Sequence, residues 1–273
     1  MKQARDFYDQ FDVCREHDEP FCGAACPFRL DIVDVCQRID KKRFNAAYKT
    51  LRDAVVFPGI VSQLCPAYCQ DSCIRKTFDD PVQIRTLEQS IIAMTPRKDP
   101  NSYNLPKRKD RIAVVGAGIS GMAFALKMAA RKCDVTVFEK SDKIGGSLAG
   151  LMDEAEYMAE FELQFKNEEY ELRLGTEVKS LDELAGFDVI YIATGRGGND
   201  FGIDGRCAEV GRDGDGTAAV FKGGSLMGPD LMHALADGAL MAGVADNYLK
   251  TGNIDLPEPS PETRCVANED LIN

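Results

Sequence analysis

Seven of the ten cysteines in this 273-residue chain fall in one stretch near its beginning, where they could bind metal. They are Cys14, Cys22, Cys26, Cys36, Cys65, Cys69 and Cys73. In a reducing compartment thiols do not form stable disulfides, so a dense cysteine group more often binds a metal. Two Cys-Pro steps and the spacing Cys65-x3-Cys69-x3-Cys73 favour iron–sulfur clusters. Zinc is the alternative, although its sites prefer close CxxC pairs around one tetrahedral ion.

The segment CREHDEPFCGAACP, residues 14–27, also contains one of only two histidines in the chain. The spacing of His17 from Cys14 and Cys22 favours a metal ligand. The alternative is a solvated side chain in a charged stretch, with Cys36 or an exogenous ligand completing the site. Cys36 itself lies within a predicted helix, where a cysteine is more often a small buried apolar residue.

Composition limits the class of protein. The net charge of −11 argues against binding nucleic acid or anionic lipid through clustered Lys and Arg. No stretch approaches the ~20 apolar residues that a membrane span needs, and the charged N-terminus MKQARDFYDQFDV is unlike a signal peptide. We therefore expect a cytoplasmic protein with a protein or small-molecule partner.

Periodicity and composition divide the chain. Residues 28–56 and 81–94 place apolar residues at three- and four-residue spacing, which predicts helices. Residues 96–110, PRKDPNSYNLPKRKD, have the proline-rich polar composition of a linker. The predicted parts are a helical domain at residues 1–104, a second domain at residues 105–255 and an acidic arm at residues 256–273, either lying on a partner or disordered.

A second pattern with chemical meaning follows the linker. An apolar strand at 112–115 leads into Gly116-x-Gly118-x-x-Gly121, then a helix, then a strand at 135–138 that ends at Glu139. In this setting the glycines are typical of a dinucleotide-binding Rossmann unit, with room for the pyrophosphate at the second glycine and at the helix N-terminus. Glu139 could accept hydrogen bonds from a ribose. The alternative is a Rossmann unit without a ligand.

Two later segments favour FAD over NAD. They are DVIYIATGR at 188–196, a strand ending in Ala-Thr-Gly, and AVFKGGSLMGPDLMHALADGALMAG at 219–243, which contains a glycine turn. A helix predicted from about Pro229 to Ala245 would point its positive end towards a flavin edge. His233 in this helix is predicted to be a packing residue and not a catalytic base.

These residues together resemble a known family, the small (β) subunit of bacterial glutamate synthase and its relatives, which include the amino-terminal portion of dihydropyrimidine dehydrogenase. The resemblance rests on CGAACPFRLDIVD, FPGIVSQLCPAYCQDSCIR with PVQIRTLEQSI, VVGAGISGMAFA with VFEK, and the IATG strand with its glycine turn. It implies an α+β multi-domain protein. An all-α helical iron–sulfur domain carrying two 4Fe-4S clusters would precede an α/β Rossmann-like domain that binds FAD.

The resemblance also implies the ligands of each cluster. Cys22 and Cys26 match the last two cysteines of the first motif in the relatives, which places His17 on a cysteine position. One cluster would then take Cys14, His17, Cys22 and Cys73. The other would take Cys26, Cys65, Cys69 and Glu88, the last at a position that is glutamine or glutamate in the relatives. The alternative for Glu88 is a carboxylate on a helix surface.

The flavin site implied by these motifs is drawn from the glycine loop, the segment after the second strand, the end of the Ala-Thr-Gly strand and the final glycine turn with the start of its helix. Its residues are Gly116, Gly118, Ile119, Ser120, Gly121, Glu139, Lys140, Gly145, Gly146, Ser147, Leu148, Ala193, Thr194, Gly195, Gly224, Ser225, Asp230 and Leu231.

The chain departs from the family in two places. Relatives carry an NADPH-binding Rossmann domain between the ATG strand and the final turn, whereas only residues 196–220 stand there in this chain. A single βαβ unit needs ~30 residues or more. The final turn reads Lys222-Gly223-Gly224-Ser225 instead of carrying Gly-Asp, so Ser225 is expected to act as a neutral hydrogen-bonding substitute.

We therefore expect an oxidoreductase subunit that relays electrons through two clusters and FAD to or from a larger catalytic subunit, without oxidising NAD(P)H itself. A hetero-oligomer is expected, with a ferredoxin-like protein as a second possible partner, and with no nucleic acid or membrane. With two histidines, the chain offers few groups for acid–base catalysis, and no catalytic residue is assigned. The alternatives are a stand-alone flavin-dependent reductase of a small organic substrate and a cluster-binding assembly subunit that has lost FAD.

Overall fold

The computed structural model describes residues 20–77, 79–211, 217–227 and 230–257. The chain divides after Lys98 into two compact units, at a point within the segment predicted to be a linker. No helix among the described residues is long and apolar enough to cross a membrane. The predicted acidic arm lies outside the described residues from position 258 onward.

The described part of the first unit is built from short helices. They are α1 (Phe21–Ala25), α2 (Ile32–Asp40), α3 (Phe44–Val55), α4 (Pro58–Leu64), α5 (Tyr68–Asp71) and α6 (Ile84–Met94), with a 3-10 turn at Ile74–Thr77. Apolar side chains at helical spacing, including Leu51, Ile60 and Ile91, are almost completely buried and form the core of this unit. This packing determines where the cysteine-bearing helix ends lie.

Strands and helices alternate in the second unit. The elements are β1 (Arg111–Val115), α7 (Ile119–Ala130), β2 (Asp134–Phe138), α8 (Glu154–Phe165), β3 (Glu171–Arg173), β4 (Val189–Ile192), β5 (Cys207–Gly211), β6 (Thr217–Lys222) and α9 (Leu231–Thr251). Short 3-10 turns lie at Gly146–Gly150, Leu181–Leu184 and Gly224–Leu226. The predicted strands at 112–115 and 135–138 each begin one residue earlier in the structure.

The six strands form one mixed sheet in the order β3-β2-β1-β4-β6-β5. All neighbouring pairs are parallel except β5 and β6, which are antiparallel. Val115 pairs with both Phe138 and Ile192, so the carboxyl ends of β2, β1 and β4 are aligned at one edge. In open parallel sheets that edge is where ligands bind, because the loops that follow the strands meet there.

Helices α7 and α9 cross closely on one face of this sheet. A Cβ at Gly238 in α9 would overlap the carbonyl oxygen of Ser120 in α7, so only glycine allows this approach. Beneath the crossing, the Phe124 ring stacks on the buried Tyr191 ring with centroids 4.2 Å apart. The close packing places the beginning of α7 beside the glycine turn that follows β6.

Asp246, a buried carboxylate on α9, is the centre of a charge cluster. Its carboxylate lies 2.6 Å from Arg108 Nη1, 3.1 Å from Arg131 Nε and 2.7 Å from Lys250 Nζ. Burial by itself would raise the pKa of Asp246, but these three cations outweigh burial and lower the pKa below its usual value. The ion pairs therefore stabilise the folded state only while the carboxyl is ionised.

Replacing Asp246 by asparagine is expected to lower the free energy of unfolding by about 2 kcal/mol at neutral pH, because three cations lose their buried partner. Since the folded-state pKa is depressed, this stability is present above the unfolded-state pKa and is lost as pH falls through the folded-state pKa. Urea unfolding of wild type and variant, followed from about pH 6 down to about pH 2, measures the difference, because the loss is expected only below the unfolded-state pKa. A difference that does not shrink towards acid pH would contradict this assignment.

Candidate cofactor sites

Three cysteines and one glutamate meet in the first unit. Cys26, Cys65, Cys69 and Glu88 line one small cavity, together with apolar neighbours from the surrounding helices. Cys26 directly follows α1, Cys65 directly follows α4, Cys69 lies in α5 and Glu88 lies in α6. The structure thus brings together the four residues that the family resemblance implies for one cluster.

The two Cys-Pro steps explain why these sulfurs are available. Cys26 (φ −76°, ψ 123°) and Cys65 (φ −65°, ψ 129°) are both extended and end their helices. A residue before proline is driven from the helical into the extended region by the proline ring. Each helix therefore ends at its cysteine, and both cysteines line the cavity.

Backbone N–H groups surround two of the sulfur atoms. The amide of Ala67 donates to Cys65 Sγ at 3.4 Å, and the amides of Phe28, Arg29 and Leu30 hydrogen-bond to Cys26. Hydrogen bonds of this kind stabilise a thiolate and adjust the reduction potential of an iron–sulfur cluster. The loops after both Cys-Pro steps therefore suit thiolate ligands.

Glu88 is a buried carboxyl, not the helix-surface group that was the alternative. It is 7% exposed and lines the cavity with the three cysteines. Burial raises the pKa of Glu88 to about 7, against a lowering effect of the nearby Arg85. Its helix is tied to the end of α4, because Arg85 Nε and Gln89 Nε2 donate to the Ser62 carbonyl at 3.4 Å and 3.0 Å.

The four groups are costly to ionise together. Burial raises the pKa of the Cys26, Cys65 and Cys69 thiols, and the charge of Glu88 raises each of them further. Bound iron would offset the charge of such ligands, so the donor set fits an iron–sulfur cluster. Within the described residues, no group of three or more His, Cys, Asp or Glu side chains is arranged to hold a metal ion directly. A cubane cluster presents its iron atoms at separate corners, so its ligands need not converge on one point.

The ligand set of the other cluster is described only in part. Cys14 and His17 lie outside the described residues. Cys22 lies in α1, close enough for its charge to affect Cys69. Cys36 lies in α2 and is partly buried. Burial and the neighbouring Cys73 raise the pKa of Cys36 to about 11, so these two thiols lie near each other.

A cavity of about 910 Å³ lies at the carboxyl edge of the sheet in the second unit. This size is typical of a cofactor site. The predicted flavin-site residues that line it are Gly116, Gly118, Ile119, Ser120, Glu139, Lys140, Gly146, Ser147, Ala193, Thr194, Gly195, Ser225, Asp230 and Leu231.

Four predicted residues, Gly121, Gly145, Leu148 and Gly224, are not among those that line the cavity. A Cβ at Gly121 would overlap the Gly116 carbonyl oxygen, so this glycine serves helix packing. Gly145 forms a β-bridge with Gly118, and Leu148 is completely buried. These residues shape the loops behind the cavity wall.

Gly116 and Gly118 in the glycine loop have different physical roles. Gly116 has φ +107°, and a Cβ there would overlap the carbonyl oxygen of Ala193. Gly118 has ordinary extended angles (φ −73°, ψ 178°), yet a Cβ there would meet no heavy atom within 4 Å. Gly118 faces the cavity. Because it has no side chain, it leaves space that the pyrophosphate of a dinucleotide can occupy.

Glu139 braces the glycine loop from the end of β2. Its Oε2 accepts a hydrogen bond from Ala117 N at 2.8 Å, and its Oε1 accepts one from Ser141 N at 2.9 Å. Both carboxylate oxygens therefore have protein donors, while the side chain still lines the cavity. The role of Glu139 as a ribose acceptor stays a prediction.

The N-terminus of α9 differs from the prediction. The helix runs from Leu231 to Thr251, later than predicted, and Asp230 caps it by accepting hydrogen bonds from Met232 N (2.9 Å) and His233 N (3.0 Å). This carboxylate lines the cavity and offsets the positive end of the helix that was expected to face the flavin. His233 is exposed and lies 2.5 Å from Asp230 Oδ2, so it is not a packing residue.

Sequence reasoning missed part of the cavity wall. Thr176, Val178 and Lys179 follow β3, while Arg196, Asn199 and Phe201 follow β4, and all six line the cavity. The position of these segments after parallel strands was the signal that could have identified them, because such loops meet at one edge.

The short segment that follows β4 is tied down by hydrogen bonds. Thr194 Oγ1 donates to the Asn199 carbonyl at 2.8 Å. The buried Lys222 donates to the Ile203 carbonyl at 2.6 Å and pairs with Asp200 at 3.1 Å. The described residues 196–211 contain β5 and no helix. This segment therefore forms a cavity wall and an antiparallel edge strand.

Comparisons with known proteins agree with the two-part organisation. Residues 2–99 match the family described as dihydropyrimidine dehydrogenase domain II, 4Fe-4S cluster. Residues 114–164 match the NAD(P)-binding Rossmann-like domain. The resemblance to glutamate synthase small subunits and dihydropyrimidine dehydrogenase is thereby confirmed.

Curated relatives include several oxidoreductase subunits. The glutamate synthase [NADPH] small chain of Mycobacterium tuberculosis is 30% identical over 71% of this chain and 44% of its own length. The NADPH-Fe(3+) oxidoreductase subunit beta of Geobacter sulfurreducens is 27% identical over 64% of this chain and 28% of its own length. The NAD-dependent dihydropyrimidine dehydrogenase subunit PreT of Escherichia coli is 28% identical over 48% of this chain and 32% of its own length.

The chain spans less than half the length of these relatives. Among solved structures, 2-naphthoyl-CoA reductase is 33% identical over 41% of this chain and 17% of its own, with a TM-score of 0.28. That structural overlap is too small to support a conclusion about function.

Proposed function

Because a 4Fe-4S domain of the dihydropyrimidine dehydrogenase type precedes a Rossmann-like domain here, we propose that this chain is an iron–sulfur flavoprotein subunit. It relays electrons through two 4Fe-4S clusters and FAD to or from a larger catalytic oxidoreductase subunit. The observation that carries the proposal is the meeting of Cys26, Cys65, Cys69 and Glu88 in one cavity. Such a donor set serves electron transfer, since a 4Fe-4S cluster passes single electrons.

The proposed cluster domain is all-α and holds two clusters. Cys26, Cys65, Cys69 and Glu88 hold one cluster, supported by their burial and by the N–H groups that point at the sulfurs. The other cluster takes Cys14, His17, Cys22 and Cys73, for which the family resemblance is the support. A neutral imidazole in place of a thiolate raises the reduction potential of a cluster, as in Rieske centres.

FAD is proposed for the cavity of the second unit. The space at Gly118, the N-terminus of α7 and the cations Lys140, Lys179 and Arg196 suit the phosphates of a dinucleotide. Ser225 on the turn after β6 lines the same cavity and offers a neutral hydrogen-bonding group. FAD, when bound, exchanges electrons in pairs or singly and so connects two-electron and one-electron partners.

The proposed partner is a larger oxidoreductase subunit, with a ferredoxin-like protein as a second electron-transfer partner. The named relatives are subunits or chains of oxidoreductases, which supports a hetero-oligomer. Direct oxidation of NAD(P)H is not part of this function, because the segment between β4 and β6 is too short for a nicotinamide-binding βαβ unit.

Anaerobic spectroscopy and rapid mixing test the proposal. Purified chain should show flavin bands near ~450 nm beside broad cluster absorbance, with FAD released on denaturation. Dithionite should reduce both cofactors, while NADH and NADPH should leave the flavin of the isolated chain oxidised on the stopped-flow timescale. Rapid flavin bleaching by either nucleotide would overturn the relay, and clusters without flavin would indicate an assembly subunit.

A further inference from the structure

A partly buried polar cluster lies beneath the glycine turn that follows β6. Its members are Ser120 from α7, Tyr191 from β4, Arg206 from the segment before β5, and Asp237 from α9. We refer to these four residues as the turn cluster. Tyr191 is completely buried, and Ser120 is 5% exposed. Four separate parts of the chain therefore bring polar groups together, and one of these groups, Ser120, also lines the cavity.

Hydrogen bonds join Ser120, Tyr191 and Asp237, and the donor in each bond can be identified. Ser120 Oγ and Tyr191 Oη are 2.8 Å apart, and Tyr191 also hydrogen-bonds to Asp237. Burial raises the pKa of Tyr191 well above its usual value, so its single proton is retained. Since that proton is donated to the Asp237 carboxylate, Ser120 must donate to the Tyr191 oxygen.

The Asp237 carboxylate also holds the turn itself. Gly224 N donates to Asp237 Oδ2 at 2.7 Å, while Arg206 Nη2 pairs with Oδ1. Gly224 has φ +68°, and a Cβ there would lie 2.6 Å from Ser120 Oγ. A Cβ at Gly223 would overlap both Tyr191 Oη and Asp237 Oδ2. The turn therefore rests directly on the turn cluster.

This contact gives a physical reason for the altered sequence of the turn. A side chain at Gly223 or Gly224 would collide with the turn cluster, so this turn cannot carry an aspartate at either position. A carboxylate does lie beneath the turn, that of Asp237 on the following helix. Asp237 is not among the residues that line the cavity, so it acts on a ligand through neighbours that do, Ser225 on the turn and Ser120.

We propose that Asp237 is a positioning residue that holds the Gly223–Gly224 turn in place and so presents Ser225 to bound FAD. This inference rests on the proposed FAD function. A charged hydrogen bond beneath a left-handed glycine keeps the turn in its binding conformation before the ligand arrives. Without that bond, the turn must become ordered when FAD binds, and the entropy cost of that ordering lowers the affinity for the cofactor.

The test compares two aspartates of the same helix. Asp237→Ala removes the carboxylate beneath the turn. Asp246→Ala removes another carboxylate of α9, which is paired with Arg108 and does not contact the turn. FAD affinity of the full chain is measured by titration after flavin removal. We expect about a tenfold weaker affinity for Asp237→Ala, equivalent to the loss of one charged hydrogen bond. Asp246→Ala should keep wild-type affinity although its stability falls.

A second readout separates positioning from general destabilisation. At saturating FAD, the flavin circular dichroism of Asp237→Ala should differ from wild type, whereas that of Asp246→Ala should not. Asp237→Asn keeps an oxygen for Gly224 N and should recover part of the affinity. If Asp237→Ala fails to fold, Tyr191→Phe loses the hydrogen bond to Asp237, keeps the ring stacked on Phe124 and should weaken FAD binding to a smaller extent.

The possible failures are distinguishable. Wild-type chain that binds no FAD would overturn the flavin part of the proposed function and the inference together. Wild type that binds FAD while Asp237→Ala binds equally tightly, with an unchanged flavin spectrum, would overturn only the role of Asp237. Equal loss of affinity in Asp237→Ala and Asp246→Ala would also overturn it, because both changes would then act through stability.

Discussion

Replacement of Cys69 by serine is expected to remove one 4Fe-4S cluster and to lower the bound iron by about four atoms per chain. Cys69 is 8% exposed and shares its cavity with Cys26, Cys65 and Glu88. Serine has nearly the same shape but replaces a soft thiolate with a poor ligand for iron. Iron and acid-labile sulfide analysis, with EPR of the reduced protein, measures the loss.

Cys133→Ser is the matched control for this change. Cys133 is also a buried cysteine, 5% exposed, with a pKa raised by burial to about 11, but it belongs to the second unit. This variant should keep its full iron content and its EPR signals. Full iron content in Cys69→Ser would mean that the shared cavity is not a cluster site, and circular dichroism would show whether the helices have formed.

Replacing Gly118 by valine is expected to weaken FAD binding by at least about 100-fold, because the added side chain fills the space that the pyrophosphate of FAD would occupy. The backbone angles at Gly118 are extended and suit valine, and no heavy atom lies within 4 Å of the added Cβ. The stability cost is that of a poorer helix cap, about 1 kcal/mol. Flavin titration and thermal unfolding of the apoprotein measure the two effects.

Gly121→Ala should show the opposite balance of effects. Its Cβ would overlap the Gly116 carbonyl oxygen, which is backbone and cannot move aside. We expect a loss of about 3 kcal/mol of stability from overpacking. Any protein that still folds at low temperature should bind FAD better than Gly118→Val. Equal FAD affinity in wild type and Gly118→Val would show that the ligand does not approach the glycine loop.

Short-range patterns in the sequence were sufficient to predict part of the local structure. Helical spacing predicted α2, α3 and α6, and the glycine motif with Glu139 predicted β1 and β2 to within one residue, with a helix between them where α7 lies. These features depend on neighbours a few positions apart, whose side-chain period and backbone freedom follow directly from residue type. The Cys-Pro steps are also local signals, because each proline disfavours the helical conformation of the preceding cysteine and so ends α1 and α4.

The cluster ligands were predicted in part from the sequence and depend in part on tertiary packing. The sequence placed the cysteines close together along the chain, and the family resemblance supplied Glu88 as their partner. Whether the carboxyl of Glu88 would be buried or exposed could not be read from TLEQS, where both outcomes fit a helix. Packing of α6 against α4, through Arg85 and Gln89, is what turns Glu88 towards the thiols.

Only the tertiary structure decided which distant residues share the cofactor cavity and the turn cluster. Phe201, Lys179 and Thr176 reach the cavity because the strand order β3-β2-β1-β4-β6 brings their loops to one edge of the sheet. Asp237 reaches the glycine turn because Gly238 lets α9 approach α7 closely. Such contacts join residues far apart in the chain, so they depend on how whole elements pack and not on the local order of residue types.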